Sequence, residues 1–114
     1  MKKQYRVKKN TEIEAILKKK RYSSNPYFSL YVKKQDETNH FRYAISVSKK
    51  IGNAVVRNKL KRQIRSIIRV VCFKDGYDFF IIARPKILGT SYLEKKQALL
   101  NLFIQQNLII KGKD

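Results

Sequence analysis

The sequence predicts an α+β domain, an α/β sandwich ordered helix, strand, strand, helix, strand, helix, with a small mixed sheet and a basic central helix. Three observations predict it. The segments Tyr27-Phe28-Ser29-Leu30-Tyr31-Val32 and Phe41 to Ser48 alternate apolar and polar residues, the period of a half-buried strand. Asp78-Phe79-Phe80-Ile81-Ile82-Ala83 is apolar without interruption, as a central strand covered on both faces must be. Between and around them lie segments with helix caps and apolar residues three and four apart.

In chain order, Thr11-Glu12-Ile13-Glu14 reads as a capping box opening a helix to about Lys20, with Ile13, Ile16 and Leu17 on its apolar side. Ser23-Ser24-Asn25-Pro26 then breaks the chain. In the first strand Phe28, Leu30 and Val32 share one face, and Tyr27, Ser29 and Tyr31 the other. The connection from Lys33 to Asn39 is short and polar, which predicts antiparallel pairing with the second strand. That strand sets Phe41, Tyr43, Ile45 and Val47 against Arg42, Ala44, Ser46 and Ser48. Gly52-Asn53 marks a turn with Asn53 as N-cap, and the helix it opens runs to about Cys72 or Phe73. Lys74-Asp75-Gly76 turns into the third strand, which Pro85 ends. Strand two, this helix and strand three form a crossover unit, which predicts a parallel pair. Ser91-Tyr92-Leu93-Glu94 is a second capping box, opening a last helix to roughly Leu108; Lys111 to Asp114 reads as a frayed tail. With neither repeat nor linker, residues 1–114 are expected to form one domain.

Lys and Arg number 27 against 8 Asp and Glu, a net charge of +19 on 114 residues of which 43% are hydrophobic. Such a chain has the apolar content to fold, and its self-repulsion calls for a polyanionic partner. Nucleic acid fits best. An anionic membrane surface is the weaker competitor on charge grounds. No apolar run approaches the ~20 residues that span a bilayer. The basic N-terminus, Met1 to Lys9, lacks the apolar segment of a signal peptide, so the expected location is cytoplasmic. Cys72 and His40 are the only residues of their kinds. A disulfide, a metal cluster and histidine-based catalysis are therefore not expected, and no catalytic side chain or bound metal is assigned. An independent nuclease needs clustered carboxylates. Glu12 and Glu14 fit helix starts, while Asp36-Glu37 and Asp75/Asp78 read as turn residues. A helix-turn-helix DNA binder needs paired short helices, whereas strands surround the basic helix here. A generic RNA-binding protein remains compatible with composition alone.

The informative segment is Arg57-Asn58-Lys59-Leu60-Lys61-Arg62-Gln63-Ile64-Arg65. At about 100° per residue, Val56, Leu60, Ile64, Ile67, Ile68 and Val71 fall in one arc. Arg57, Lys61, Arg65, Arg69 and Arg62 fall in the adjacent arc, with Asn58 near its middle. One side can dock while the other offers cations at fixed spacing to successive phosphates, and Asn58 can reach a base edge or a 2′-hydroxyl. An ordinary solvated helix mixes signs through i,i+4 pairs. This one carries no Asp or Glu between Glu37 and Asp75. Before it, Ser46, Ser48, Lys49 and Lys50 combine small side chains with two cations beside a helix N-terminus. On the first strand Tyr27, Ser29 and Tyr31 are placed to lie beside Ala44, Ser46 and Ser48 as a groove with rings available to stack on bases; Tyr31 fits half-buried packing equally well.

The run Ser46-Val47-Ser48-Lys49-Lys50-Ile51-Gly52-Asn53-Ala54-Val55-Val56-Arg57-Asn58-Lys59-Leu60-Lys61-Arg62-Gln63-Ile64-Arg65 resembles the signature of the bacterial ribonuclease P protein family. Tyr5-Arg6-Val7-Lys8-Lys9-Asn10 resembles the family's lead-in, and Ile81-Ile82-Ala83-Arg84 its third strand; the likeness weakens after about Pro85. The resemblance implies a protein subunit that binds a catalytic RNA, assists removal of the 5′ leader from precursor tRNA and broadens substrate specificity. Mg²⁺-dependent phosphodiester hydrolysis then belongs to the RNA, and the protein needs no cofactor of its own. It further implies that Arg57, Asn58, Lys59, Lys61, Arg62 and Arg65 contact RNA, with Lys49 and Lys50. Tyr31, Ser46, Ser48, Ile13 and Leu17 are the implied leader-cleft positions, in a cleft between the basic helix and the sheet. The family's middle crossover is left-handed, against the usual rule. This chain has Lys59 where Arg is frequent, Ile13 and Leu17 where Phe is frequent, and Lys20 where Gly is usual.

Overall fold

The computed structural model describes residues 5–110. The expectations for the first four residues and for Lys111 to Asp114 fall outside them. Three helices, α1 (Asn10–Lys18), α2 (Ala54–Arg69) and α3 (Tyr92–Gln105), pack on strands β1 (Tyr22–Ser24), β2 (Phe28–Lys34), β3 (Arg42–Ser46) and β4 (Tyr77–Ala83). The sheet order is β1-β2-β4-β3. β4 pairs antiparallel with β2 and parallel with β3, so the sheet is mixed and the crossover through α2 joins a parallel pair.

The expected antiparallel pairing of the first two predicted strands, here β2 and β3, does not occur. β4 lies between them. Its residues are apolar on both faces, and Phe79, Phe80, Ile81 and Ala83 are all buried, so burial is greatest when it takes the centre. The short Lys33–Asn39 connection therefore spans one strand width. β1 is a further departure, since the Ser23-Ser24 break pairs as an edge strand on β2, Tyr22 opposite Tyr31 and Ser24 opposite Ser29. Three residues are too few to show alternation.

One face of the sheet carries Phe28, Leu30, Val32, Tyr43, Phe79, Ile81 and Ala83 against α2 and α3. Phe41, Tyr43, Phe73, Phe79 and Phe103 interlock there, ring centroids 4.7 to 6.1 Å apart. The opposite face is read in rows across the strands: Lys33–Asp78–Arg42, then Tyr31–Phe80–Ala44, then Ser29–Ile82–Ser46. α1 covers part of it, burying Ile16 with Val7 and Phe80.

The helix ends follow local chemistry. α1 starts earlier than the Thr11 box predicts: Glu12, not Glu14, turns back to the N-cap, accepting the Lys9 N–H at 3.4 Å. That register also brings Glu12 to Arg42. α2 begins where expected, Asn53 Oδ1 accepting from Val56 N at 3.0 Å, but ends at Arg69 rather than Cys72 or Phe73. Phe73 leaves to bridge Ile109. The Ser91–Glu94 box forms as predicted, with reciprocal bonds of 3.0 and 3.1 Å. Hydrogen bonding from the Ser91 backbone N–H first, and then from the Ser91 side chain, holds the Glu94 carboxyl below its ordinary range. α3 stops at Gln105, short of the expected Leu108, and Asn107 takes φ 57° just beyond it.

Asp78 is not the turn residue the sequence suggests. It lies buried in β4, paired with Arg42 through bonds of 2.9 and 2.7 Å in the forked geometry of guanidinium and carboxylate. Glu12 Oε2 lies 2.9 Å from the same guanidinium, and Glu37 reaches it at 3.7 Å. Asp78, the largest influence, outweighs burial and moves the Arg42 pKa upward. The cluster ties the start of α1 to the sheet.

Asp78→Ala is expected to cost about 3 kcal/mol, the low end for breaking a buried pair, because Glu12 still faces the guanidinium. Urea denaturation measures this, and a loss under about 1 kcal/mol would show that the pair contributes little. Lys20, one residue past the α1 C-cap, takes φ 54°, a conformation that suits glycine. Lys20→Gly should therefore raise stability by roughly 1 kcal/mol; no gain in denaturation midpoint would mean that the lysine adopts this conformation at no cost.

Candidate nucleic-acid interface

The rotation of α2 about its axis decides where its cations point. Leu60, Ile64, Ile67 and Ile68 are buried against the sheet. Arg57, Lys61 and Arg65 are half-buried along one flank, with Asn58, Arg62 and Arg69 exposed beside them. Among the described residues every salt bridge falls on Arg42, and no cation of α2 meets an acid.

Arg57 Nε donates to Gly52 O at 3.2 Å, bracing the approach to the helix. Gly52 is required there by space, because a Cβ would stand 2.9 Å from Val56 Cβ. Upstream, Lys50 N donates to Ser48 Oγ at 3.2 Å and Ile51 N to Ser48 O at 3.0 Å, so Lys49 and Lys50 sit exposed on a tight turn.

A cleft of about 590 Å³ opens between this flank of α2, the sheet and α1. Ala44, Ser46 and Phe80 form its floor, Ile13 one wall, and Lys61 and Arg65 the other, with Arg6 and Lys8 closing its end. The small side chains of Ala44 and Ser46, set beside Phe80 and Ile82 on β4, leave the depression open. Cations surround it, and none of its lining residues is an acid.

The structure thus brings Ile13, Ser46, Lys61 and Arg65 together. It does not bring Tyr31 into the cleft: Tyr31 lies across Phe80 from Ala44 and stacks on Tyr22, centroids 5.2 Å apart. Leu17 is exposed one turn from Ile13 on the same flank of α1. Ser48 lies past the end of β3, exposed on the turn. Tyr27 packs against the main core rather than beside Ser46, and β4 separates Ser29 from Ser46. Lys59 stands on the opposite flank of α2, facing α3. The buried Lys95, whose Nζ donates to Thr90 O at 2.6 Å, has its pKa lowered first by burial and then by Lys59. Arg6 and Lys8 went unassigned in the sequence reading. The signal that finds them is Val7, a lone apolar residue in a basic run, which is buried and pins the segment by donating to Tyr43 O at 3.0 Å.

The ribonuclease P family model matches residues 1–106. The chain belongs to the ribonuclease P protein family. Similar relatives include the ribonuclease P protein component of Bacillus cereus (strain B4264), 44% identical over 90% of this chain and 91% of the relative. That of Bacillus mycoides (strain KBAB4) is 47% identical over the same shares. Among solved structures, an RNase P protein of Staphylococcus aureus superposes with a TM-score of 0.84 at 35% identity, over 93% of this chain and 98% of that one. The RNase P protein of Thermotoga maritima gives 0.77 at 30%, over 94% and 98%. The family's role is tRNA 5′ processing as the protein component of an endoribonuclease whose partner is an RNA subunit. Among the described residues no three of His, Cys, Asp and Glu are placed to share a metal ion, and no helix is long and apolar enough to cross a membrane.

Proposed function

We propose that Arg57, Asn58, Lys61, Arg62 and Arg65, with Lys49 and Lys50, bind the ribonuclease P RNA, and that the cleft beside them receives the single-stranded 5′ leader of precursor tRNA. Lys59, exposed on the other flank of α2, belongs to the RNA-facing surface at its margin. The observation that carries the reading is the cleft: a floor of small and apolar side chains between two walls, ringed by cations with no acid among its lining residues. A floor of that kind admits unpaired bases, while cations along the walls track the phosphates. Ile13, and Leu17 one turn on, supply an aliphatic wall where relatives with Phe would offer a ring. Tyr31 acts by supporting the floor beneath α1 rather than by stacking in the cleft. Mg²⁺ serves the RNA-containing holoenzyme, the protein's part being to hold and orient RNA in the cytoplasm.

Reconstitution tests the reading. Purified protein, ribonuclease P RNA and precursor tRNA at low Mg²⁺ should release leader faster than RNA alone. Arg57→Ala and Arg65→Ala should each weaken RNA-subunit binding and reduce the slope of log K against log salt by roughly 0.7 to 0.9. Ser46→Phe, which narrows the cleft floor, should weaken binding of leader-bearing substrate while leaving leaderless tRNA unaffected. Equal effects on the two substrates would remove the leader from the cleft, and unchanged salt slopes would remove the arginines from the interface.

A further inference from the structure

A second hollow, about 340 Å³, lies on the other side of Arg65 from the leader cleft, between the C-terminal half of α2 and the start of β3. Tyr5, Phe41, Tyr43, Ile68 and Val71 line it, with Arg65 and Arg69 beside them. The aromatic rings form a continuous series from surface to core. Tyr5 stacks on Phe41 at 4.8 Å with 23° between planes, Phe41 on Tyr43 at 6.1 Å, and Tyr43 on Phe79 at 5.7 Å. The wall is therefore braced before any ligand arrives, which lowers the entropy cost of stacking. Tyr43 is only 5% exposed. Burial pushes its hydroxyl pKa up while Arg65 and Arg69 push it down, so both guanidinium groups act on the same interior. Neither arginine pairs with an acid among the described residues, and no acid lines the hollow.

An apolar side chain of a protein partner would fill such a space but leave two arginines unmatched. A nucleotide matches both halves: a flat base against rings and aliphatic side chains, and a phosphate on forked donors. The volume sits at the lower end of pockets that hold small molecules, as one base requires. Leader in the cleft would lie along Ala44, Ile45 and Ser46, whereas the hollow opens beside Tyr43 at the start of the strand, on the other side of Arg65. The RNA subunit, partner of the α2 flank that continues to Arg69, is the nearer source.

We infer that this hollow takes one unstacked nucleobase of the ribonuclease P RNA, with its phosphate on Arg65 and Arg69. The inference rests on the reading that the basic flank of α2 faces that RNA. Two measurements test it on the full chain. In the first, nuclear magnetic resonance follows titration with adenosine 5′-monophosphate and, separately, ribose 5-phosphate. The nucleotide should shift the Tyr5 and Tyr43 ring signals and the Val71 methyl signals; the sugar phosphate should leave the rings unmoved. Rings indifferent to the nucleotide, or equally responsive to both probes, would overturn the inference. In the second, Val71→Phe fills the hollow and should weaken binding to the RNA subunit by roughly 5- to 150-fold, the range of one lost base–aromatic stack. Arg69→Ala, at an exposed position, should weaken it without altering the melting temperature. Wild-type affinity in Val71→Phe beside weakened binding in Arg57→Ala would overturn the base pocket alone. Wild-type affinity in both would overturn the α2 interface as well.

Discussion

Burial of Leu60, Ile64, Ile67 and Ile68 against the sheet fixes the rotation of α2, and with it everything the helix cations can reach. Each such side chain contributes about 1.5–3 kcal/mol. Like charges one turn apart oppose helix formation by only about 0.2–0.5 kcal/mol per pair. The apolar arc therefore outweighs the repulsion among Arg57, Lys61, Arg65 and Arg69 severalfold, and the helix tolerates a one-sign flank. Turned by a third of a revolution, the same helix would put its arginines under the sheet or against α3, where Lys59 already meets Lys95.

Acid placement completes the arrangement. Glu12, Glu37 and Asp78 converge on Arg42, and Glu94 caps α3. The acids so engaged stand at the far row of the sheet or at the outer helix, leaving the cleft and the α2 flank to cations. Among the described residues, Arg42 is the one cation that is structural in this sense. Its pair with Asp78 and its reach to Glu12 position α1, and α1 supplies the cleft wall at Ile13. A strong pair in the interior and unpaired charge at the surface thus act together: one sets the shape of the cleft, the other its affinity for polyanions.

Much of this was legible in the sequence where one residue pattern had one physical solution. The α2 period, the Asn53 cap, the Ser91–Glu94 box and the apolar run of β4 each dictated their element. The run from Ser46 to Arg65 pointed to the family through its particular order of residues. What could not be read depended on partners far away in the chain. Nothing local says that β4 enters between β2 and β3, so the groove imagined beside Tyr27 and Ser29 is interrupted by Phe80 and Ile82. Asp78 looks like a turn residue until Arg42 is opposite it. Tyr31 had two readings, and the Tyr22 stack favours packing. Lys59 shares its neighbours' charge but not their direction, a distinction that the 100° step contains and the family likeness obscures. Arg6 and Lys8 join the cleft only because Val7 docks beside Tyr43.

The orientation of α2 is tested most directly by lysine acetylation footprinting of the protein free and bound to ribonuclease P RNA. Lys61, on the cleft flank, should be strongly protected on binding. Lys34, on β2 with β4 between it and β3, should stay as reactive as in the free protein. Lys61 remaining reactive, or both lysines protected alike, would contradict a directed cationic flank.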